Sequence, residues 1–405
     1  MENQNSQKIF SFFDQASLWF SLGVGLLVMQ MGSFLSGGIG TKDAILAIIL
    51  GSIIGSGILA WVGALGQKSG HNSAQLMVGA FGNKFAKLPI FLNIAQLLGW
   101  TAFEFVIMSD GIIAILGKYY KGTIDTVALK MVMAVFLSGL VIYLLSKPMT
   151  GLVRKLVSKI ALPLVLISLA WLSFQFAGKI DFTQFLNAKG NGALSFAGAL
   201  DLVIAMPISW LPLIADYSRY GKNTKSSFGG IFLGYILANI WCYILGLLIV
   251  STPNLQSDFV SAILLAQGGL IALGIILFDE LDNAYGDAYS GSVSINQLNP
   301  IISEKLGGKI LVAFAGLAAA FLPMHELETF LITLSSIFIP LFAVIIGNSF
   351  SQNQNKQINL PNALIWIFGI ILFQYIAKTA PQIGASLPVF AICGICAFVI
   401  RVRKI

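Results

Sequence analysis

Residues 271–294 read IALGIILFDELDNAYGDAYSGSVS. An uncharged apolar run leads straight into four carboxylates, Asp279, Glu280, Asp282 and Asp287. With the apolar residues before it, the stretch exceeds the roughly 20 residues that a helix needs to cross a bilayer. A charged side chain at mid-bilayer costs at least about 2.5–3.5 kcal/mol. Four acids in one span are tolerable only where they line a water-filled path, bind cations or hold protons. Positions 279, 282, 283 and 287 fall on one helical arc. That polar face, with Asn283 on it, is expected to point into a helix bundle, and Glu280 lies off the arc toward another neighbour.

The rest of the chain suits the same solvent. Of its 405 residues 57% are hydrophobic and only 10% charged, with a mean hydropathy of +0.86. A soluble domain carries about 25% charged residues. Lipid requires backbone polar groups to be satisfied within the segment, so the expectation is an all-α integral membrane protein of about twelve spans. These lie near 17–37, 43–66, 86–117, 124–146, 156–177, 194–217, 226–251, 260–290, 309–323, 328–348, 361–379 and 384–401. Only Pro323-Met324-His325-Glu326 separates the ninth from the tenth, and 72–83 reads as an interfacial helix. The N-terminal MENQNSQKIFSFFDQ has neither a basic n-region nor a cleavage site, so the first apolar stretch is read as a retained span. Cys393 and Cys396 form a C-x-x-C in an apolar run without a nearby histidine, which suits packing better than redox or metal chemistry.

Lys and Arg set the expected orientation. With the N-terminus inside, seventeen of the 24 basic residues fall on cytoplasmic segments, among them Lys8, Lys68, Arg154, Arg219, Arg403 and Lys404. Six, including Lys42, Lys121 and Lys378, fall outside, and Lys130 lies within the fourth span. Both termini are therefore expected in the cytoplasm of a cell (inner) membrane protein, and the net charge of +7 reflects topology rather than a nucleic-acid surface.

Further acids lie in the spans: Glu104 and Asp110 in the third, Asp201 and Asp216 in the sixth. Glu104 is deep in its apolar run, whereas Asp110 and Asp216 read as helix-end residues. Two spans are expected to be broken. The first carries Gly23-Val24-Gly25, and the sixth carries MPISWLP with Pro207 and Pro212, each of which removes a helix donor. The breaks lie about 184 residues apart, and the same offset carries Trp100 and Glu104 near Asn283 and Asp287. Inverted repeats with discontinuous first helices and a midplane ligand site would produce this spacing.

Four motifs in order carry a family resemblance: KDAILAIILGSIIG with LGQKSG (42–70), QLLGWTAFE (96–104), PLIADYSRYGKN (212–223) and DNAYGDAYSGSVSIN (282–296). Over most of its length the chain resembles the nucleobase:cation symporter-1 family, which includes cytosine permeases and a hydantoin transporter. AMPISWLPLIADYSR is most similar to a branch of hydroxymethylpyrimidine transporters, which supply a thiamine precursor. The resemblance implies a LeuT-like 5+5 inverted repeat, about 17–177 and 194–348, plus two C-terminal helices at about 361–401, all in one transmembrane domain. It implies that Trp100 stacks a planar heterocycle and that Glu104 takes the place of a ring-reading glutamine. Pro207 stands where relatives carry a second stacking aromatic, which shifts that role to Trp210. It also implies a sodium site between first-span carbonyls and the eighth span. The expected substrate set is Gly23, Gly25, Trp100, Glu104, Ser209, Trp210, Asn283 and Asp287. The cation set is Phe20, Gly23, Asp279, Glu280 and Asp282, with Asp282 favoured and a two-residue register slip left open.

The function expected is cation-coupled import of a small planar nitrogen heterocycle, foremost a pyrimidine such as hydroxymethylpyrimidine, or alternatively cytosine, a purine or another nucleobase. Na⁺ is the expected coupling ion with H⁺ as the alternative, no cofactor is implied, and a monomer is expected to suffice. A membrane-embedded enzyme and a channel are the rival classes. There is no paired-aspartate or H-E-x-x-H motif for the first, and the stacking tryptophan and buried acids suit a carrier better than a pore.

Overall fold

The computed structural model describes residues 8–120, 125–253, 259–321, 327–348 and 356–402. Lys121, Arg403, Lys404 and the 323–326 joint of the ninth and tenth predicted spans lie outside these residues. Among the described residues all regular structure is helical, apart from one isolated bridge between Phe10 and Gly221. In chain order the helices are α1 (Phe12–Ser21), α2 (Leu26–Gly38), α3 (Thr41–Ser69), α4 (Ser73–Phe81), α5 (Lys87–Tyr119) and α6 (Thr126–Leu144). They continue with α7 (Met149–Ala177), α8 (Phe182–Asn187), α9 (Phe196–Ser209), α10 (Ile214–Ser218), α11 (Thr224–Val250) and α12 (Phe259–Leu265). The last are α13 (Gly269–Leu298), α14 (Glu304–Ala319), α15 (Leu327–Asn348), α16 (Leu360–Thr379) and α17 (Ser386–Val402).

Helix occupies every predicted span. Among the described residues seven helices (α3, α5, α6, α7, α11, α15 and α16) are long and apolar enough to cross a membrane. The α1–α2 pair, bent by 60°, makes an eighth crossing if it counts as one span. The eighth predicted span begins later than expected. Gly268 adopts φ +70°, which ends the preceding turn and separates α12 from α13. The bundle also wears its apolar residues outward: Val135 is 75% and Phe174 72% exposed. Such a surface needs lipid rather than water around it.

Local chemistry explains the ends. Ser11 and Asp14 form a capping box that starts α1, and Asn72 and Gln75 form another that starts α4. Within α7 the Val153–Ala161 stretch is wound wider, with hydrogen bonds of the i→i+5 type, and Arg154 from it reaches Asp14 at 3.6 Å. Packing is tightest where glycines meet backbone. A Cβ on Gly246 would overlap the Met29 carbonyl oxygen, and one on Gly32 the Tyr243 carbonyl oxygen, so α2 and α11 touch through paired glycines.

Three of the intramembrane acids prove structural. Asp201 on α9 accepts the N–H groups of Ala385 and Ser386 (3.1 Å for Ser386), so it caps the N-terminus of α17 across 185 residues of chain. Asp110 on α5 pairs with Lys130 on α6 at 2.7 Å, so the one basic residue placed within a span does neutralise an acid. Asp216 on α10 accepts the Ser73 N–H at 3.0 Å at the start of α4, while Ser73 Oγ accepts from Ala215. Replacing Asp201 with alanine leaves two buried N–H donors unpaired, each costing about 1–3 kcal/mol. The expected outcome is a lower thermal-unfolding midpoint in detergent with transport retained in the folded fraction. Loss of transport at unchanged stability would instead make Asp201 a transport residue.

Candidate functional site

The first break sits between Ser21 and Leu26. The Phe20 carbonyl closes the end of α1 by accepting from the N–H groups of Gly23 (3.1 Å) and Val24 (3.0 Å). At the start of α2 the Leu26 N–H has no helical acceptor, as at any helix start. It donates to Glu280 Oε1 at 2.6 Å, which sets a carboxylate at the positive end of that helix. Asn283 Nδ2 lies 3.3 Å from the Val24 carbonyl oxygen and 3.1 Å from Glu280 Oε2. Gly25 leaves room for this approach: a Cβ there would come within 3.3 Å of Glu280 Oε2.

The second break runs from Ser209 to Ile214 and contains Pro212, while Pro207 stays inside α9. α5 satisfies it. Asn93 Nδ2 donates to the Pro212 carbonyl at 3.1 Å and to Ser294 Oγ at 3.1 Å, while Gln96 Nε2 donates to Asn93 Oδ1 at 3.0 Å and lies 3.4 Å from the Ser209 carbonyl. Ser209 therefore offers its carbonyl to α5, since its hydroxyl is turned back to Met206. Trp210 packs edge-on against Trp19, with ring centroids 6.0 Å apart.

α13 presents two polar faces rather than the single arc expected. Glu280, Asn283 and Asp287, spaced i, i+3 and i+7, face α5 and the first break. The Glu104 carboxyl lies within hydrogen-bonding reach of Glu280, and the charges that act on it are those of Glu280, Asp287 and Asp282. Asp279 and Asp282 turn to the other side. Ser21 Oγ donates to Asp279 Oδ1 at 2.8 Å, and neither oxygen of Asp282 has a donor among the described residues. Both acids border a cavity of about 100 Å³ whose walls include Leu22, Leu144, Val153, Val157 and Tyr285. The wide-wound part of α7 thus forms one wall. The structure places Glu280 with Glu104, apart from the cation set in which the sequence grouped it.

Asn93, Gln96, Trp100 and Glu104 lie along one face of α5, at helical spacings of three and four. Trp100 is 8% exposed and Glu104 4%. Phe330 from the first turn of α15 meets Trp100 edge-on with centroids 5.2 Å apart, and Phe103 at the same distance. Sequence reasoning missed Asn93, Gln96 and Phe330. The first two were detectable as polar residues in register with Trp100; nothing in the sequence marked the third. Gln96 Oε1, Trp100 Nε1, Glu104 Oε2 and Asn283 Oδ1 are buried without partners among the described residues. Buried polar atoms are rarely left so; the first three share one face of α5, and Asn283 lies on α13 beside the first break. That arrangement can read the edge of a small ring beside an indole face. His71, at the joint of α3 and α4, is held below the usual histidine range by burial and adds no charge to the site at neutral pH.

A family model described as permease for cytosine/purines, uracil, thiamine and allantoin matches residues 3–397. The cytosine permease of Escherichia coli (strain K12) is 24% identical over 329 residues, covering 79% of this chain and 73% of that protein. Among solved structures, Mhp1, a nucleobase-cation-symport-1 family transporter, in a closed conformation with bromovinylhydantoin bound, superposes with a TM-score of 0.81 at 14% identity. That match covers 98% of this chain and 93% of the other. A Na⁺-coupled sialic acid symporter in a substrate-bound outward-open state follows at a TM-score of 0.68 and 13% identity, covering 96% and 88%. The fold is that of these transporters.

Glu280→Leu removes the acceptor for Leu26 and Asn283 and is expected to cost about 1–3 kcal/mol per orphaned donor. Glu280→Gln keeps an acceptor oxygen and should recover most of the loss. Thermal unfolding of the two variants side by side checks this; equal destabilisation would remove Glu280 from the cap.

Proposed function

We propose, from the premise that this chain belongs to the family of permeases for cytosine/purines, uracil, thiamine and allantoin, that it imports a small amino-bearing nitrogen heterocycle together with a cation. The family is one of transporters, not enzymes. One observation carries the reading. Trp100 and four buried polar atoms without described partners, its own Nε1 among them, lie on the neighbouring helices α5 and α13. Trp100 supplies the stacking face. Glu104, Asn283 and Asp287 are assigned to the edge of the ring, and the Ser209–Trp210 and Gly23–Gly25 turns to its surroundings. The pyrimidine precursor of thiamine fits this set through the sequence resemblance. Cytosine fits it equally well and has the support of the cytosine permease relatives.

For the coupling ion we favour Na⁺ between Asp279, Asp282, the Ser21 hydroxyl and the carbonyls of the first break. Hard cations take oxygen ligands, and Asp282 supplies two buried oxygens without donors among the described residues. H⁺ carried on the same acids is the alternative. Binding of the ion and cargo on two faces of one helix gives each a differential affinity for the closed state, which is what coupling requires. The positive-inside pattern supports a multi-pass inner-membrane protein with both termini cytoplasmic.

Thermal-shift screening of the purified protein against cytosine, hydroxymethylpyrimidine, adenine, uracil and hydantoin, each with Na⁺ or K⁺, tests the reading. One amino-bearing heterocycle should stabilise the protein, more so in Na⁺. Trp100→Ala should weaken that ligand about 5- to 150-fold, the equivalent of about 1–3 kcal/mol of base stacking, with membrane insertion unchanged. Asp282→Asn should abolish the Na⁺ enhancement while leaving some ligand stabilisation. Stabilisation by no heterocycle, or a full Na⁺ effect in Asp282→Asn, would overturn the cargo and the cation assignment respectively.

A further inference from the structure

The two ends of α4 are held in unlike ways. The last carbonyls of a helix lack donors within it, and those of α4 are met from the start of α16. The Ala80 carbonyl accepts the side-chain amides of Asn359 (2.9 Å) and Asn362 (2.7 Å), and the Phe81 carbonyl accepts the Asn359 N–H at 2.8 Å. Just beyond, backbone pairs with backbone: the Asn83 N–H donates to the Lys356 carbonyl at 3.1 Å, and the Lys84 N–H to that of Gln357 at 2.8 Å. Gly82 permits this approach, since it adopts φ +86° and a Cβ there would come within 2.7 Å of the Lys356 carbonyl oxygen. Trp366 of α16 meets Phe81 and Phe85, with centroids 5.8 Å away in both cases, and donates to the Ile337 carbonyl of α15 at 2.9 Å.

At its other end α4 meets α10 through side chains: Ser73 N–H donates to Asp216 Oδ1 at 3.0 Å, and Ser73 Oγ accepts the Ala215 N–H at 3.1 Å. α10 is anchored elsewhere. A Cβ on Gly66 of α3 would come within 2.6 Å of the Ala215 Cβ. The Tyr220 carbonyl accepts the Ile9 and Phe10 N–H groups, both at 2.9 Å, and the Lys222 N–H donates to the Phe10 carbonyl at 2.8 Å. Gln67 at the end of α3 donates to the Gly221 carbonyl at 3.1 Å and accepts from Thr224, the first residue of α11, at 2.8 Å. Toward α13 this unit uses side chains again, Tyr217 donating to the Gly286 carbonyl at 3.0 Å and Arg219 to the Tyr289 hydroxyl at 3.4 Å. Between α3 and α4 the chain turns at Gly70, which adopts φ +72° and has no neighbour within 4 Å of where a Cβ would stand.

We propose that α4 is a fixed post held by α16, and that Ser73 is the catch that keeps α10 closed against it. Opening of the proposed cytoplasmic face turns the chain at 70–72 and parts α10 from Ser73, while Asn359 and Asn362 keep their hold on Ala80. The N–H groups of Ser73 and Ala215 lie at helix starts, so water replaces their partners once the face opens. The two C-terminal helices contribute no residue to the candidate site. Their task on this reading is to keep the post still. The inference rests on the orientation proposed above and on a carrier's two access states, not on the identity of its cargo.

Pulsed electron paramagnetic resonance distances in lipid nanodiscs test this, on the full chain with Cys242, Cys393 and Cys396 replaced by alanine. One spin-label pair, Val78→Cys with Lys225→Cys, spans α4 and the start of α11. The other, Val78→Cys with Ile371→Cys, spans α4 and α16. In Na⁺ and K⁺ buffers the first pair should sample two distances and the second pair one. Ser73→Ala leaves the Ala215 N–H unpaired in the closed form only. It should raise the ratio of long to short distance in the first pair about 5- to 150-fold, the cost of one unpaired buried donor. Ser73→Thr keeps the hydroxyl and should restore the ratio. Asn359→Ala combined with Asn362→Ala releases the post, so α4 should follow α10 and the second distance should move to the α4–α16 pair. Two distances in the α4–α16 pair of the otherwise unaltered chain, or an unchanged ratio in Ser73→Ala, would overturn the proposal. Neither measurement uses a ligand, so its outcome is separate from that of the heterocycle screen.

Discussion

A single hydrogen bond organises the centre of this molecule: the Leu26 N–H donates to the carboxylate of Glu280, 254 residues away. Breaking a span in the middle of a membrane exposes backbone donors and acceptors where no water is at hand, and each orphan is costly. The first break is affordable only because α13 delivers a carboxylate to the new helix start and an amide, Asn283, to the Val24 carbonyl. The second break is met in the same way by Asn93 and Gln96 of α5. α5 and α13 are thus the fixed partners of both discontinuities. That is why they carry the polar residues which an ordinary span could not hold.

The two faces of α13 divide what they support. Asp279 reaches the end of α1 through Ser21, and Glu280 reaches the start of α2 through Leu26. The half-helices on either side of the first break are therefore held by adjacent residues of one rigid helix. In the proposed mechanism, a cation at Asp279 and Asp282 and a ring at Glu104 bias the same hinge from opposite sides. Coupling then needs no long pathway, because both ligands act on the geometry of residues 22–25. The apolar cavity beside Asp279 and Asp282, walled in part by the wide-wound stretch of α7, puts a deformable segment next to the cation side.

Hydropathy made the helices legible, because a bilayer imposes one length and one composition on every span. It also exposed the breaks, since Gly23-Val24-Gly25 and Pro207/Pro212 violate what a continuous helix tolerates. It could not date the start of α13, where the signal was the single Gly268 in an otherwise apolar run. The partners of the acids were beyond reach for a different reason. Asp201 finds its donors at Ala385 and Ser386, and Asp110 finds Lys130, through packing that no local pattern encodes. The arc drawn through 279, 282, 283 and 287 failed because polar residues on a buried helix answer to several neighbours at once. Glu280, set aside as off the arc, proved to be the residue that joins it to both α2 and α5.

The buried acids differ in how far their hydrogen bonds are completed. Asp201 has backbone donors on both oxygens at the start of α17, and Asp110, inside α5 rather than at the helix end expected, has a lysine of α6. Asp282 has two oxygens without described donors and Glu104 has one, yet both are at least as deeply enclosed. A fold that spends an acid purely on stability has every reason to finish its hydrogen bonds, since the unmade ones cost more than the made ones gain. Incomplete sets persist where something else completes them for part of a cycle. Asp216 and Asp279 each keep one such oxygen as well, Asp216 at the α4–α10 contact, whereas Asp282 beside Ser21 and the cavity and Glu104 beside Trp100 stand next to the proposed ligands. These are two places, one to each face of α13, as a carrier of two different ligands requires.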